Sequence, residues 1–101
     1  MYSTISIEEL EKLVTKSSPA ILDVRPSEQF KEEHIPSARS LPLEQLVVSG
    51  IPSDLDKTIS YHIICRSGVK SQKASALLTE AGYTAINTDK GMNDWKGPVT
   101  N

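Results

Sequence analysis

Two short apolar runs, Ala20–Val24 and Ile59–Ile64, constrain the fold of this chain more than any other feature. The first run does not alternate between apolar and polar residues, as is expected for a strand that is buried on both faces of a parallel sheet. Segments with helical spacing separate such runs, and they are too long to be hairpin turns. The sequence therefore predicts an α/β protein, with strands joined by crossover connections and helices covering both faces of a mostly parallel sheet.

Local signals place the other elements. Ser6 and Glu9 form a capping box, which marks the start of a helix, and Gly82 is a suitable C′ residue for another. Helices are predicted from Ile7 to about Lys16, from Ser27 to Glu32, from Leu43 to Val48 and from Ser71 to Ala81, with a last turn over Gly91–Trp95. Two more strands are predicted at Ala38–Leu41 and Thr84–Asn87.

Four details of these elements are also expected. Ser27 is placed as the N-cap of its helix and Phe30 as a buried residue, while Val47 should pack inward from the third helix. The amide-rich segment Asn87–Asp94 is predicted to be solvated surface.

Length and composition narrow the class of protein. With 101 residues, 38% hydrophobic and 24% charged, the chain is expected to be one globular domain spanning residues 1–101. A net charge of −2 argues against nucleic-acid binding, which usually needs a basic surface. No signal peptide or membrane span is recognisable, so a cytoplasmic location and no membrane association are expected.

The only cysteine, Cys65, stands where the second apolar run meets the helix predicted from Ser71. A single cysteine excludes an internal disulfide, a CxxC redox pair and a multi-cysteine zinc site. In parallel sheets ligands bind beyond the carboxyl ends of the strands, where Cys65 lies. Backbone N–H groups at the start of a helix, a glycine at position 68 and nearby cations would favour the thiolate, which is the reactive form. Cys65 is therefore a candidate nucleophile.

The charges near Cys65 favour an anion site. From Cys65 to Thr79 the chain carries Arg66, Lys70 and Lys73 and no carboxylate. A solvated helix face is the alternative explanation, and the sequence leaves open whether the side chains of Arg66 and Lys70 are directed to the site or to solvent. His62 is a poor candidate for a catalytic base, because an odd offset along a strand puts it on the face opposite Cys65.

Taken together, several motifs resemble the rhodanese homology domain in order and spacing, over nearly the whole chain. They are Asp23-Val24-Arg25, Glu28-Gln29-Phe30, His34-Ile35-Pro36-Ser37-Ala38, Leu41-Pro42-Leu43, Cys65-Arg66-Ser67-Gly68, Gly82-Tyr83 and Gly91-Met92-Asn93-Asp94-Trp95. The chain departs from the family at Glu33, Ser37 and Lys90, where glycine is frequent, and these changes are expected to alter turns rather than chemistry.

The resemblance implies a five-stranded parallel sheet flanked by helices, and a sulfurtransferase. In that family the cysteine takes a sulfane sulfur from thiosulfate or a similar donor, becomes a persulfide, and passes the sulfur to cyanide or a thiol, which can belong to a protein partner. By position, Cys65 is the nucleophile, and the persulfide is stabilised by the loop Arg66, Ser67, Gly68, Val69, Lys70 and Ser71. No metal or organic cofactor is implied.

The resemblance also implies structural roles for three residues of these motifs. Asp23 and Arg25 are expected to be structural, with Arg25 paired to a carboxylate near Glu28 or Glu33, and Trp95 is expected to anchor the core.

Two other functions fit parts of the sequence. A phosphatase or arsenate reductase uses a related cysteine loop, but it generally needs an arginine six residues after the cysteine, where this chain has Ser71; Lys70, one residue earlier, supplies a point charge rather than a two-pronged donor. A non-catalytic module that binds or regulates partners is the other alternative, although such modules commonly lack the cysteine that this chain keeps.

Overall fold

Five parallel strands form one sheet in the computed structural model, which describes residues 1–101. The strands are β1 (Ser3–Ile5), β2 (Ala20–Asp23), β3 (Ala38–Ser40), β4 (Ser60–Ile64) and β5 (Thr84–Thr88). Their order across the sheet is β1-β5-β4-β2-β3, and every neighbouring pair is parallel. The two apolar runs of the sequence thus become the adjacent strands β2 and β4, and the α/β prediction is confirmed.

Helices cover both faces of this sheet. They are α1 (Ile7–Lys16), α2 (Ser27–Glu32), α3 (Leu43–Ser49) and α4 (Lys70–Glu80), and a 3₁₀ turn spans Met92–Asp94. One core cluster includes Leu46 of α3 and Leu78 of α4, and the other includes Leu10 of α1. Trp95 packs against the second cluster, as expected of a core anchor. No helix has both the length and the apolar composition needed to cross a membrane.

The ends of two helices follow from local chemistry. Ser6 caps α1 by accepting the N–H of Glu9 at 3.1 Å, and the Glu9 carboxylate accepts the N–H of Ser6, so the predicted capping box is confirmed. At the end of α4, Gly82 adopts a φ of 94°. The N–H groups of Gly82 and Tyr83 donate to the carbonyls of Thr79 and Leu78, which is a Schellman motif.

Several details differ from the expectations. Pro26 occupies the N-cap of α2 and no side chain caps it, so the capping role of Ser27 is wrong; a proline there sets the extended backbone by itself. Phe30 is half-buried, because its ring stacks on His34 with centroids 3.8 Å apart at the surface. Val47 is exposed.

Strand β1 was not evident from local pattern. It has three residues, pairs only with β5 and is largely exposed, so its sequence carries neither an apolar run nor alternation. Ser37, where the related family often has glycine, has a φ of 71°, the only positive φ of a residue other than glycine. The turn thus keeps a glycine-like backbone despite the substitution.

Candidate functional site

Cys65 follows the last residue of β4 and lies at the carboxyl edge of the sheet. Its side chain packs in the same cluster as Tyr61 and Ile63, and the residue is only 1% exposed. The backbone N–H of Gly68 donates a hydrogen bond to Cys65 Sγ with a length of 3.0 Å. The thiol is thus fixed at the base of the loop that leads into α4.

The backbone of this loop is rich in unused donors. The N–H groups of Arg66, Ser67, Val69, Lys70 and Ser71 donate no hydrogen bond within the protein. They precede or open the first turn of the 11-residue helix α4, whose N-terminal end carries partial positive charge. Such a loop can stabilise a thiolate or a bound anion.

A pocket of about 270 Å³ opens above the thiol. Its lining residues are Arg25, Pro26, Gln29, Cys65, Arg66, Ser67, Val69 and Lys70. None of them carries a carboxylate, and Arg66 and Lys70 are cations without an ion-pair partner in the protein, so the pocket favours an anionic ligand.

The loop residues predicted from the sequence occupy different places around this pocket. Arg66, Ser67, Val69 and Lys70 line it, and Gly68 contributes its N–H to the sulfur. Ser71 is not among the lining residues; it is fully buried and its Oγ makes no hydrogen bond. Lys73 lies outside the pocket and lines a neighbouring groove instead.

Arg25, Pro26 and Gln29 were not predicted as site residues. They come from the segment that leaves β2, the strand hydrogen-bonded to β4. Pairing of the two most apolar strands would have been the signal, because it places the residues after β2 beside those after β4.

Arg25 forms a buried ion pair with Asp23. Its Nη2 donates to Asp23 Oδ2 at 2.8 Å and its Nε to Oδ1 at 3.0 Å. The same Nη2 donates to the backbone carbonyl of Glu33 at 2.8 Å. The expected pairing with a carboxylate near Glu28 or Glu33 is therefore wrong, since Asp23 is the partner and Glu33 contributes only its backbone.

The loop is supported from behind by residues 91–93. Met92 donates its N–H to the carbonyl of Cys65 at 2.8 Å, and Asn93 to that of Arg66 at 3.0 Å. Arg66 Nε in turn donates to Asn93 Oδ1 at 3.3 Å.

Asn87, Thr88 and Gly91 are buried, so the prediction that Asn87–Asp94 is solvated surface is wrong for these positions.

His62 is on the other face of β4 from Cys65, as the strand alternation predicts. Ile64, two residues further along the strand and therefore on the same face as His62, packs in the second core cluster, whereas Cys65 packs in the first. Burial lowers the pKa of His62 below its ordinary value of 6.5. Because its ring lies on the opposite face of the sheet, His62 is not placed to act as a base for the thiol.

Comparison with known proteins agrees with this fold. The family model of the Rhodanese-like domain matches residues 6–98. The chain therefore belongs to the rhodanese-like domain family.

Individual relatives span a range of lengths. YrkF of Bacillus subtilis is 35% identical over 92% of this chain, which spans about half (50%) of that protein. The thiosulfate sulfurtransferase GlpE of Coxiella burnetii is 32% identical over 95% of this chain and 89% of its own length. The crystal structure of a rhodanese-like domain protein from Staphylococcus aureus superposes with a TM-score of 0.82, at 30% identity, and covers 94% of this chain and 92% of its own.

Proposed function

We propose that the protein is a sulfurtransferase that carries a sulfane sulfur as a persulfide on Cys65. The donor is thiosulfate or a related anion, and the acceptor is cyanide or a thiol. The observation that carries the proposal is the position of Cys65 Sγ, which accepts the N–H of Gly68 at the base of a pocket lined by cations and free of carboxylates. Similarity to proteins named thiosulfate sulfurtransferases supports it.

In the first step the Cys65 thiolate attacks the outer sulfur of thiosulfate. A bond forms between Sγ and that sulfur, the sulfur–sulfur bond of thiosulfate breaks, and the bonding electrons leave with sulfite. Negative charge is carried by the donor, the persulfide and the leaving group alike. Arg66, Lys70 and the free N–H groups of the loop stabilise this charge as it moves.

In the second step cyanide or a thiolate attacks the outer sulfur of the persulfide. The bond between that sulfur and Sγ breaks, and Cys65 regains its electron pair as a thiolate. The product is thiocyanate or a new persulfide on the acceptor. The two half-reactions balance without a metal or an organic cofactor. The covalent intermediate divides the transfer into one step with the donor and one step with the acceptor.

Each loop residue has a role in this proposal. Gly68 donates its N–H to the sulfur, and Arg66, Ser67, Val69, Lys70 and Ser71 supply further backbone donors. Lysine at position 70 and serine at position 71 disfavour phosphatase chemistry, which needs a two-pronged arginine in this part of the loop. We assign the activity to residues 1–101 as one domain and place it in the cytoplasm, where thiols are kept reduced.

Mass spectrometry of the intact protein after incubation with thiosulfate tests the proposal, with Cys65→Ser in parallel. We expect the wild type to gain one sulfur atom and to lose it on addition of cyanide or a thiol, while Cys65→Ser gains none. A wild-type protein that stays unmodified by thiosulfate and by other sulfane donors would overturn the assignment and favour a non-catalytic module.

A further inference from the structure

A second cavity, of about 450 Å³, adjoins the Cys65 pocket. It lies between α3 and the start of α4 and shares Pro26 and Lys70 with the pocket above the thiol. We call it the α3–α4 groove, and the residues that matter for its character are Pro42, Val47, Val48, Lys70 and Lys73. Because the two cavities share a wall, a molecule in the groove is next to the reacting sulfur.

The α3 side of the groove is apolar and exposed. Val47 is 57% exposed and Val48 is 83% exposed, although both belong to a helix whose Leu46 is buried in the core. Val69, which lines the adjoining Cys65 pocket, is 70% exposed. Three of the large hydrophobic residues that the protein exposes thus surround the entrance to the site, and clustered exposed apolar side chains mark interaction surfaces.

The α4 side of the groove is cationic. Lys70 and Lys73 both line it, and neither forms an ion pair within the protein, whose only ion pairs are Arg25–Asp23 and Arg39–Asp54. Glu44 is the one carboxylate of the lining. The groove thus offers an apolar wall and two free ammonium groups, which complement a ligand that is apolar and acidic.

We propose that the α3–α4 groove docks a protein that accepts sulfur from Cys65, through a segment in which the acceptor cysteine is flanked by apolar and acidic residues. The proposal rests on the sulfurtransferase function, because it names the class of acceptor. The exposed valines extend the apolar surface beyond the pocket that holds the thiol. A small acceptor such as cyanide cannot cover that surface. A polypeptide can cover it while its cysteine enters the shared opening.

Sulfur transfer to such an acceptor is the second half-reaction described above. The acceptor cysteine thiolate attacks the outer sulfur of the Cys65 persulfide, and the new persulfide stays on the acceptor. Cys65 leaves as a thiolate, so no other reactant is needed. Docking raises the effective concentration of the acceptor thiol without changing the chemistry.

Two synthetic peptides serve as probes, each with a central cysteine between leucines. One has glutamates at its ends and the other has lysines. Persulfide on Cys65 is loaded from thiosulfate, and transfer to each peptide is followed by mass spectrometry. We expect the acidic peptide to react with a second-order rate constant about tenfold higher, equivalent to about 1.4 kcal/mol of binding free energy.

Two variants locate that preference. In Val48→Asp and in Lys73→Glu, the transfer rate constants for the two peptides should differ by no more than about twofold. Transfer to cyanide should stay within about twofold of the wild-type rate, because exposed substitutions of this kind leave the fold intact. Val99→Asp and Lys12→Glu are matched controls at exposed positions outside the groove and should keep the full preference. The proposal is overturned if the wild type does not distinguish the peptides, or if the control variants lose the preference as well.

Direct binding separates this proposal from the proposed function. The acidic peptide with serine in place of its cysteine should bind Cys65→Ser protein, and Val48→Asp introduced into that background should abolish binding. Binding without any persulfide formation would overturn the sulfurtransferase function but not the docking surface. Persulfide formation without binding would overturn the docking surface alone. Two further outcomes of Val48→Asp would show that the groove has another occupant and that the proposal is wrong. One is that sedimentation shows a dimer converted into a monomer. The other is that sulfur transfer from this variant to glutathione falls as far as transfer to the acidic peptide.

Discussion

Gly91 lies directly against the backbone carbonyl of Cys65. A Cβ atom at position 91 would overlap that carbonyl oxygen and the carbonyl group of Arg66. The adjacent hydrogen bonds from Met92 and Asn93 fix the same two carbonyls. The shape of the cysteine loop therefore depends on a segment 26 positions further along the chain.

Substituting Gly91 should disturb the site without touching any catalytic side chain. Gly91→Ala forces backbone atoms apart, and overpacking of this kind costs about 1–3 kcal/mol of unfolding free energy. We also expect slower persulfide formation, because the loop must shift away from position 91. Urea unfolding and mass spectrometry measure the two effects. Lys90→Ala, at the exposed neighbouring position, should change neither, and equal behaviour of the two variants would show that the contact is unimportant.

Gly68 combines a backbone conformation that L residues rarely adopt with a close contact. Its φ is 95°, and a Cβ there would lie 2.6 Å from the carbonyl oxygen of Asp89. Gly68→Ala should therefore lose the N–H···Sγ geometry and slow persulfide formation by about a hundredfold, as removal of one such donor does in other active sites.

Gly82 provides the control for that variant. Its φ of 94° is nearly the same, but a Cβ would meet only the flexible side chain of Lys57, at 3.5 Å. Gly82→Ala should be destabilised by about 1–2 kcal/mol through its backbone alone and should form the persulfide at the wild-type rate. If both variants lose activity to the same extent, backbone strain rather than the loop contact explains the loss.

The sequence predicted the parts of the fold that local pattern determines. The apolar runs that became β2 and β4, the capping box of α1 and the glycine after α4 each carry their signal within a few residues. Strand β1 pairs only with β5, and its exposed Ser-Thr sequence holds no such signal. Short edge strands are decided by their partner, so their own sequence is a weak guide.

The part of the candidate site that the sequence indicated is contiguous along the chain. The loop after Cys65 reads as one segment, whereas Arg25 and Gln29 enter the pocket through the pairing of β2 with β4. The partner of Arg25 was predicted wrongly because proximity to Glu28 and Glu33 in sequence does not reveal that Asp23, two residues earlier, is buried beside it.

The burial of that ion pair leads to a prediction about stability. Arg25→Met leaves the Asp23 carboxylate buried without its partner, and removal of one member of a buried pair costs about 3–5 kcal/mol. The pair Arg39–Asp54 has similar two-pronged geometry, with bonds of 2.8 and 3.0 Å, but it is exposed to solvent. Arg39→Met should therefore shift the urea midpoint little. Similar losses in both variants would contradict the role of burial.

Acid should destabilise the protein through His62. Burial lowers the pKa of His62 in the folded state below 6.5, so the unfolded chain binds the proton more readily. The stabilisation from the neutral ring is complete above about pH 6.5 and is lost as the pH falls from there towards the folded pKa. His62→Leu removes the titration, and also a buried Nδ1 that has no hydrogen-bond partner. Its unfolding free energy should change less than that of the wild type between about pH 7.5 and pH 5, and parallel curves would rule out His62 as the titrating group.

Charge reversal at Lys70 distinguishes an anion site from a general loss of reactivity. Lys70 lines the Cys65 pocket, and thiosulfate is a dianion, so Lys70→Glu should slow persulfide formation from thiosulfate by about tenfold or more. An alkyl persulfide donor carries one negative charge instead of two, so it is repelled less, and its rate should fall by only about threefold. Lys73→Glu makes the same change one turn along α4, in the groove and outside the pocket, and solvent screening should leave its thiosulfate rate closer to that of the wild type. Single-turnover kinetics with both donors measure these rates. If Lys70→Glu slows the two donors equally, the cations near Cys65 do not select an anionic substrate, and the N–H groups of the loop alone hold the donor.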